Sequence, residues 1–164
     1  EKEKSEVFLK TFNEIAYNFS EIFSEISPEG TARLLLETED NPFEGGVMID
    51  AKPLGKNIKT AVSLSGGEKA ITALSLIFAI QRYKPSPFYI LDEVDANLDD
   101  SNVERTAEMI QRQAEKTQFI VITLREGMMS RSERLFGVSM HKKGISSMVS
   151  LEVEKIVKQE EALA

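Results

Sequence analysis

At 164 residues and 41% hydrophobic content, the chain is long enough to bury a core, and its length favours one compact domain. It has no cysteine, which excludes disulfides, thiolate metal sites and covalent thiol chemistry, and its one histidine, His141, cannot make a zinc site alone. The formal net charge of −7 works against non-specific attraction to a polyphosphate, leaving only a local basic patch open. No apolar run reaches bilayer-spanning length, and the first residues, Glu1-Lys2-Glu3-Lys4, are unlike a signal peptide. The expectation is a soluble intracellular chain with no membrane partner.

Phe8, Phe12, Ile15, Phe19, Ile22 and Ile26 recur at alternating gaps of four and three, so a helix puts all six on one face. Pro28 and Gly30 stop it. The stripe reads either as the end of a coiled coil entering a globular head or as an amphipathic helix lying on a sheet. Thr31 to Thr38 and Val47 to Ala51 read as strands of a small antiparallel lobe, joined through Asn41-Pro42-Phe43-Glu44-Gly45-Gly46. Lys52 to Ala61 is a polar connection, and Glu68 to Ile80 is helical and so apolar that burial is expected.

Phe88 to Leu91 and Phe119 to Ile122 are continuous apolar runs of the kind found in strands covered on both faces. Between them, Asp100 to Lys116 is a helix with Val103, Ala107, Ile110 and Ala114 spaced for one buried face. Strand, helix, strand is a parallel βαβ unit, which makes the fold class α/β. Leu135 to His141 and Ser146 to Val153 form an expected C-terminal β-hairpin across Lys142-Lys143-Gly144-Ile145, and Glu154 to Ala164 is a charged tail. The expected divisions are 1–27 for the first helix, 28–153 for the globular lobe and 154–164 for the tail.

Ligands of open α/β sheets collect beyond the carboxyl ends of the strands, where the run from Phe88 delivers Asp92 and Glu93. Successive strand side chains point to opposite sides, so one carboxylate can hold Mg²⁺ through water and the other activate an attacking water. The plain alternative is a strand end with solvated acids. Ser65-Gly66-Gly67-Glu68 opens the apolar helix: glycines admit a phosphate, Ser65 offers a hydroxyl, and the helix N-terminus offers unpaired N–H groups. Here the plain alternative is an ordinary N-cap at Ser65.

Leu64-Ser65-Gly66-Gly67-Glu68-Lys69 followed by Ile90-Leu91-Asp92-Glu93-Val94-Asp95-Ala96-Asn97-Leu98-Asp99 resembles the C-terminal half of the ABC-type ATPase head of structural-maintenance-of-chromosomes (SMC) proteins. Phe43-Glu44-Gly45-Gly46-Val47, Lys84-Pro85-Ser86-Pro87-Phe88 and Phe136-Gly137-Val138-Ser139-Met140 match as well, so the resemblance covers nearly the whole chain. It implies the C-terminal lobe of a P-loop head at 28–153, with a parallel βαβ core, the small antiparallel lobe and the hairpin, carrying the signature loop Leu64 to Glu68, the Walker B strand that ends in Asp92 and Glu93, and the D-loop. It also makes 1–27 the root of a coiled coil. It further implies the cofactors ATP and Mg²⁺, with Ser65, Gly66, Gly67 and Glu68 contacting the γ-phosphate held by a second head. Asp92 would hold the metal and Glu93 would be the catalytic base. Asp95 and Asp99 would belong to the interfacial D-loop, although Asp99 is also placed to cap the next helix.

The implied partners are the N-terminal Walker A half, a second head in a homodimer, a kleisin subunit docking on Leu135 to Val157, and DNA. The implied location is cytoplasmic and chromosome-associated. A related break-repair ATPase with a nuclease partner is the alternative of the same architecture. A non-enzymatic kleisin-docking module is the alternative of a different class.

Two departures stand out. There is no Gly-x4-Gly-Lys-Ser/Thr loop, and Gly55-Lys56-Asn57 is a chance approximation of one. The histidine that the resemblance implies after the strand Phe119 to Thr123 is replaced by Leu124, leaving Arg125 or a backbone group as substitutes. His141 reads as an exposed strand residue. Lys142, Lys143, Arg131 and Arg134 are the noticeable basic cluster, which is also consistent with an ordinary solvated surface.

Overall fold

The computed structural model describes residues 2–38, 40–53, 64–141 and 144–152. The sequence's Gly55-Lys56-Asn57, the Lys142-Lys143 pair and the charged tail lie outside the described residues.

Helix α1 (Lys2–Ile26) buries Phe19, Ile22 and Ile26 fully, with Phe23 beside them, while Phe8, Phe12 and Ile15 are half-buried. The burial gradient along one stripe shows a helix docked by its C-terminal turns. It packs on α2 (Gly66–Tyr83) and on β1 (Thr31–Leu36) rather than on an open sheet face. Beyond Ile26 the chain turns through Glu29, whose φ of 69° takes it out of the helical region.

β1 pairs antiparallel with β2 (Val47–Lys52) from Thr31↔Lys52 to Leu36↔Val47. Ala32, Leu34 and Ala51 face the core, and the outward Arg33 meets its direct partner Asp50 at 3.0 Å. This is the small lobe expected from the alternation, with β1 ending two residues before Thr38.

α2 sends Ile71, Leu74, Phe78 and Ala79 into the same core, where Phe78 meets Phe119 at a ring separation of 6.3 Å. Burial of the whole helix is not what the structure shows, because Ile77 and Ile80 are 45% and 47% exposed.

β3 (Phe88–Asp92) and β4 (Gln118–Ile122) are parallel, from Phe88↔Gln118 to Asp92↔Ile122, with α3 (Asp100–Ala114) as the crossover. The βαβ unit is therefore present. Its strands are covered on one face only: Leu91 is buried and Tyr89, Phe119 and Val121 are half-buried, whereas Phe88, Ile90, Ile120 and Ile122 are all exposed. The expected two-sided cover is corrected accordingly. In α3, Val103, Ala107 and Ile110 are buried as spaced, joined by Thr106 and Met109, but Ala114 at the last turn is exposed. The helix ends before Lys116.

A single turn, α4 (Glu126–Met129), buries Met128 and follows β4, with Arg131 bridging from its C-terminal side to Glu104 and Glu108 of α3. Strands β5 (Arg134–His141) and β6 (Ile145–Glu152) form the expected antiparallel hairpin. Glu25 of α1 joins Arg82 of α2 at 3.6 Å and Arg112 of α3 at 2.7 Å, tying three helices at the surface.

Candidate functional site

Ser65 adopts extended backbone at φ −64°, ψ 169° and caps α2. Its Oγ accepts from the Glu68 amide at 3.3 Å, and its own amide donates to Glu68 Oε2 at 2.8 Å. This reciprocal capping box satisfies two otherwise unpartnered amides of the first turn. The N-cap alternative for Ser65 is thus realised in the fold, and the hydroxyl proton is left over for a further acceptor because the cap uses only the oxygen lone pair.

Gly66 has open space around its Cα, whereas a Cβ on Gly67 would stand 2.8 Å from the carbonyl oxygen of Asn97. The loop at the head of α2 therefore touches the segment that follows β3. The Leu64 to Glu68 loop and the Asp95 to Asp99 segment, separate in sequence, meet at this contact.

At the carboxyl end of β3, Asp92 is exposed and lines a groove of about 480 Å³ between α2 and β3, together with Ile77, Ile80, Tyr89 and Ile90. Glu93 is exposed too, but it has left the strand. Its φ is +47°, an uncommon left-handed conformation for a residue with a side chain, and its amide donates to Ile122 O at 2.9 Å. The strand alternation used to separate the two carboxylates thus ends at Asp92, and a backbone reversal sets the direction of Glu93.

Asp95 is 1% exposed and accepts a hydrogen bond from the Thr123 hydroxyl. Asp99 caps α3, accepting from the Asn102 amide at 2.9 Å, from Asn102 Nδ2 at 2.7 Å and from Ser101 Oγ at 2.8 Å. The backbone hydrogen bond from Asn102, helped by those side chains, holds the Asp99 carboxyl below the usual carboxylate range. The capping reading of this residue is therefore realised, and the residue sits at the end of the loop that joins β3 to α3.

Leu124 is 87% exposed just past β4. Arg125 points to the connecting segment, donating from Nη2 to Leu98 O at 3.3 Å and to Asp100 Oδ1 at 2.5 Å. Sequence reasoning missed this use of Arg125 and the roles of Thr123 and Asn97. Residues 28 or so positions apart give no local pattern, and only the parallel pairing of β3 with β4 brings them together.

Among the described residues no cluster of three or more His, Cys, Asp or Glu side chains is arranged to hold a metal. Mg²⁺ keeps several waters and asks for only one or two protein carboxylates, and Asp92 presents one exposed carboxylate at the end of β3. No described helix is long and apolar enough to cross a membrane.

A helix N-terminus in contact with the segment beyond a parallel strand is the layout of α/β folds that gather ligands at strand ends. Residues 4–147 match the family described as RecF/RecN/SMC N terminal domain, and the chain belongs to that family. It is 54% identical over 158 residues to the chromosome partition protein Smc of Pyrococcus furiosus, covering 96% of this chain and 13% of that protein. With the Smc of Methanocaldococcus jannaschii it shares 50% identity over 151 residues, 92% of this chain and 13% of the relative. The chain thus spans about an eighth of the length of these curated relatives.

A solved structure from work on ATP-driven dimerisation and DNA-stimulated activation of SMC ATPases is 52% identical, covers 96% of both chains and superposes with a TM-score of 0.83. The Smc head domain of Pyrococcus furiosus, solved with an extended coiled coil and bound to the C-terminal domain of ScpA, is 53% identical with a TM-score of 0.93, covering 99% of this chain and 41% of that one. The mixed α/β fold is that of SMC ATPase heads. The family description speaks of an N-terminal domain, against the C-terminal half expected from the motifs.

Proposed function

We propose that this chain is the half of an SMC ATPase head that bears the signature loop, the Walker B carboxylates and the D-loop, and that it acts only with a Walker A half and a second head. The observation carrying this reading is that none of the 164 residues forms a Gly-x4-Gly-Lys-Ser/Thr loop, while Leu64 to Glu68 and Ile90 to Asp99 are both present. The word N-terminal in the family description would suggest the Walker A half. The lack of the phosphate-wrapping loop in these 164 residues, beside the motifs that are present, supports the other half.

The open outer face of β3 and β4, with Phe88, Ile90, Ile120 and Ile122 exposed, supports a further layer supplied by the other half. In this reading Asp92 would hold Mg²⁺, which would supply charge neutralisation at the phosphates. Glu93 accepts a proton from the attacking water. Ser65, Gly66, Gly67 and Glu68 present the hydroxyl and helix N-terminus to ATP on the partner head, and Asp95 and Asp99 frame the loop between the two sites. ATP-driven engagement and release of two heads would then serve chromosome condensation and segregation on DNA, in the cytoplasm at the nucleoid. Helix α1 would be the root of the coiled coil, consistent with Val7 exposed towards its N-terminal end, away from the fully buried turns from Phe19 to Ile26.

The hairpin supports a docking role beside this one. Phe136, Val138, Met140 and Met148 fall on one of its faces by register and all four are more than half exposed. A kleisin is the proposed occupant, since a related head was solved with the winged-helix domain of ScpA. The decisive experiment mixes this chain with its Walker A half and measures ATP hydrolysis and dimerisation for wild type, Ser65→Arg and Glu93→Gln. Expected are Mg²⁺-dependent turnover in the wild type, lost dimerisation with nucleotide binding intact in Ser65→Arg, and an ATP-trapped dimer in Glu93→Gln. Hydrolysis by this chain alone would sink the assignment.

A further inference from the structure

Three positions around the end of β4, Ile122, Thr123 and Arg125, each hold a different part of the segment that leaves β3. Ile122 O accepts from the Glu93 amide at 2.9 Å. The Thr123 hydroxyl donates to Asp95, and its oxygen in turn accepts from the Arg125 amide at 2.9 Å. The Arg125 guanidinium reaches Leu98 O at 3.3 Å and Asp100 Oδ1 at 2.5 Å. From Glu93 to Asp100 the segment is therefore fastened at its start, middle and end by one short stretch. On its other side it meets the signature loop, through Asn97 O against Gly67.

We propose that Thr123 and Arg125 are positioning residues that fasten the Asp95 to Asp99 loop to the end of β4, and so keep Glu93 and the signature loop in one register. The energetic logic lies in Asp95. A carboxylate at 1% exposure needs donors to offset its lost hydration, and the Thr123 hydroxyl is one of them. Removing that donor leaves a buried oxygen short of a partner, and the loop relieves it by moving toward water. Arg125 acts at the other end, where it neutralises Asp100 and ties down the last carbonyl before the α3 cap. The anchoring is independent of the head assignment, while its effect on turnover rests on that assignment.

The test uses Thr123→Val, which keeps the shape and removes the hydroxyl, Thr123→Ser, which restores it, and Arg125→Gln. In the chain alone, Thr123→Val should raise amide hydrogen exchange at Glu93, Ala96 and Leu98 by about tenfold or more, with the α1 and α2 core unchanged. Arg125→Gln should loosen the Leu98 end, and Thr123→Ser should return exchange to the wild-type level. In the pair with the Walker A half, Thr123→Val should lower kcat by about tenfold to a hundredfold with KM for ATP within about twofold, again rescued by serine. Unchanged exchange in both Thr123→Val and Arg125→Gln overturns the anchoring. Loosened exchange with unaltered kcat in an active pair overturns the positioning role. Absence of turnover in the wild-type pair overturns the head assignment instead, and exchange in the chain alone still decides the anchoring.

Discussion

Gly67 lies against Asn97 so closely that a Cβ built on the glycine would stand 2.8 Å from the Asn97 carbonyl oxygen. The obstacle is backbone, which cannot swing aside as a side chain can. Gly67→Ala should cost about 1–3 kcal/mol of stability, the range for overpacking a tight contact. Gly66 meets nothing within 4 Å, so Gly66→Ala should stabilise the first turn of α2 by about 0.5–1 kcal/mol. Urea unfolding of the two single variants checks the contrast, and equal effects would remove the contact as the reason for Gly67.

Asp99 should show its cap in the pH dependence of stability. Asp99→Ala should cost about 1 kcal/mol at neutral pH, as loss of a carboxylate N-cap does. The folded carboxyl titrates below its ordinary value because the Asn102 amide and the Ser101 and Asn102 side chains stabilise its charge. Its contribution is therefore fully present above the unfolded-state value of about 3.9 and is lost as pH falls through the lower folded one. The difference between wild type and Asp99→Ala should stay flat from about pH 8 to pH 5 and shrink below about pH 4. A difference that grew on acidification would have the wrong sign for a cap.

The elements that could be read in the sequence were those with long, uniform patterns. The stripe from Phe8 to Ile26 specified α1, and the two apolar runs around an amphipathic helix specified the parallel unit of β3, α3 and β4. The four-residue α4 has no periodicity to detect, and only Met128 within it is buried. The cover expected over Phe88, Ile90, Ile77 and Ile80 is missing because hydrophobicity records that a surface needs a partner, not whether this chain supplies it. At the site, residue types and their order were legible, but the left-handed turn at Glu93 and the Asp95 to Thr123 link, 28 positions apart in sequence, are set where β3 pairs with β4.

The two faces of β3 should respond oppositely to mutation. Ile90 is 59% exposed and Leu91 is 7% exposed. Leu91→Ala should destabilise the chain by about 2–5 kcal/mol through the lost contacts and the cavity left behind. Ile90→Lys should change the stability of the chain alone by less than about 0.5 kcal/mol, yet abolish association with a Walker A half that covers this face. Thermal unfolding and analytical ultracentrifugation of the mixed halves separate the two effects. Normal association of Ile90→Lys would mean that the open face is not the contact between halves.

Glu93 combines the proposed catalytic carboxylate with a backbone conformation that disfavours any side chain, since its φ is +47°. A non-glycine residue in the left-handed region costs about 1–2 kcal/mol, and glycine escapes that cost because it has no Cβ. Glycine also gains freedom in the unfolded chain, which offsets about 0.5–1 kcal/mol of the benefit. Glu93→Gly should therefore be more stable than Glu93→Ala by up to about 1 kcal/mol. Both variants lack the carboxylate, so both should be inactive when paired with the Walker A half. The comparison isolates the strain from the chemistry, because alanine removes the acid while keeping the Cβ. Urea unfolding of the two variants decides it: equal stability would mean that the turn at Glu93 stores no strain, and turnover by either variant would mean that another group accepts the proton.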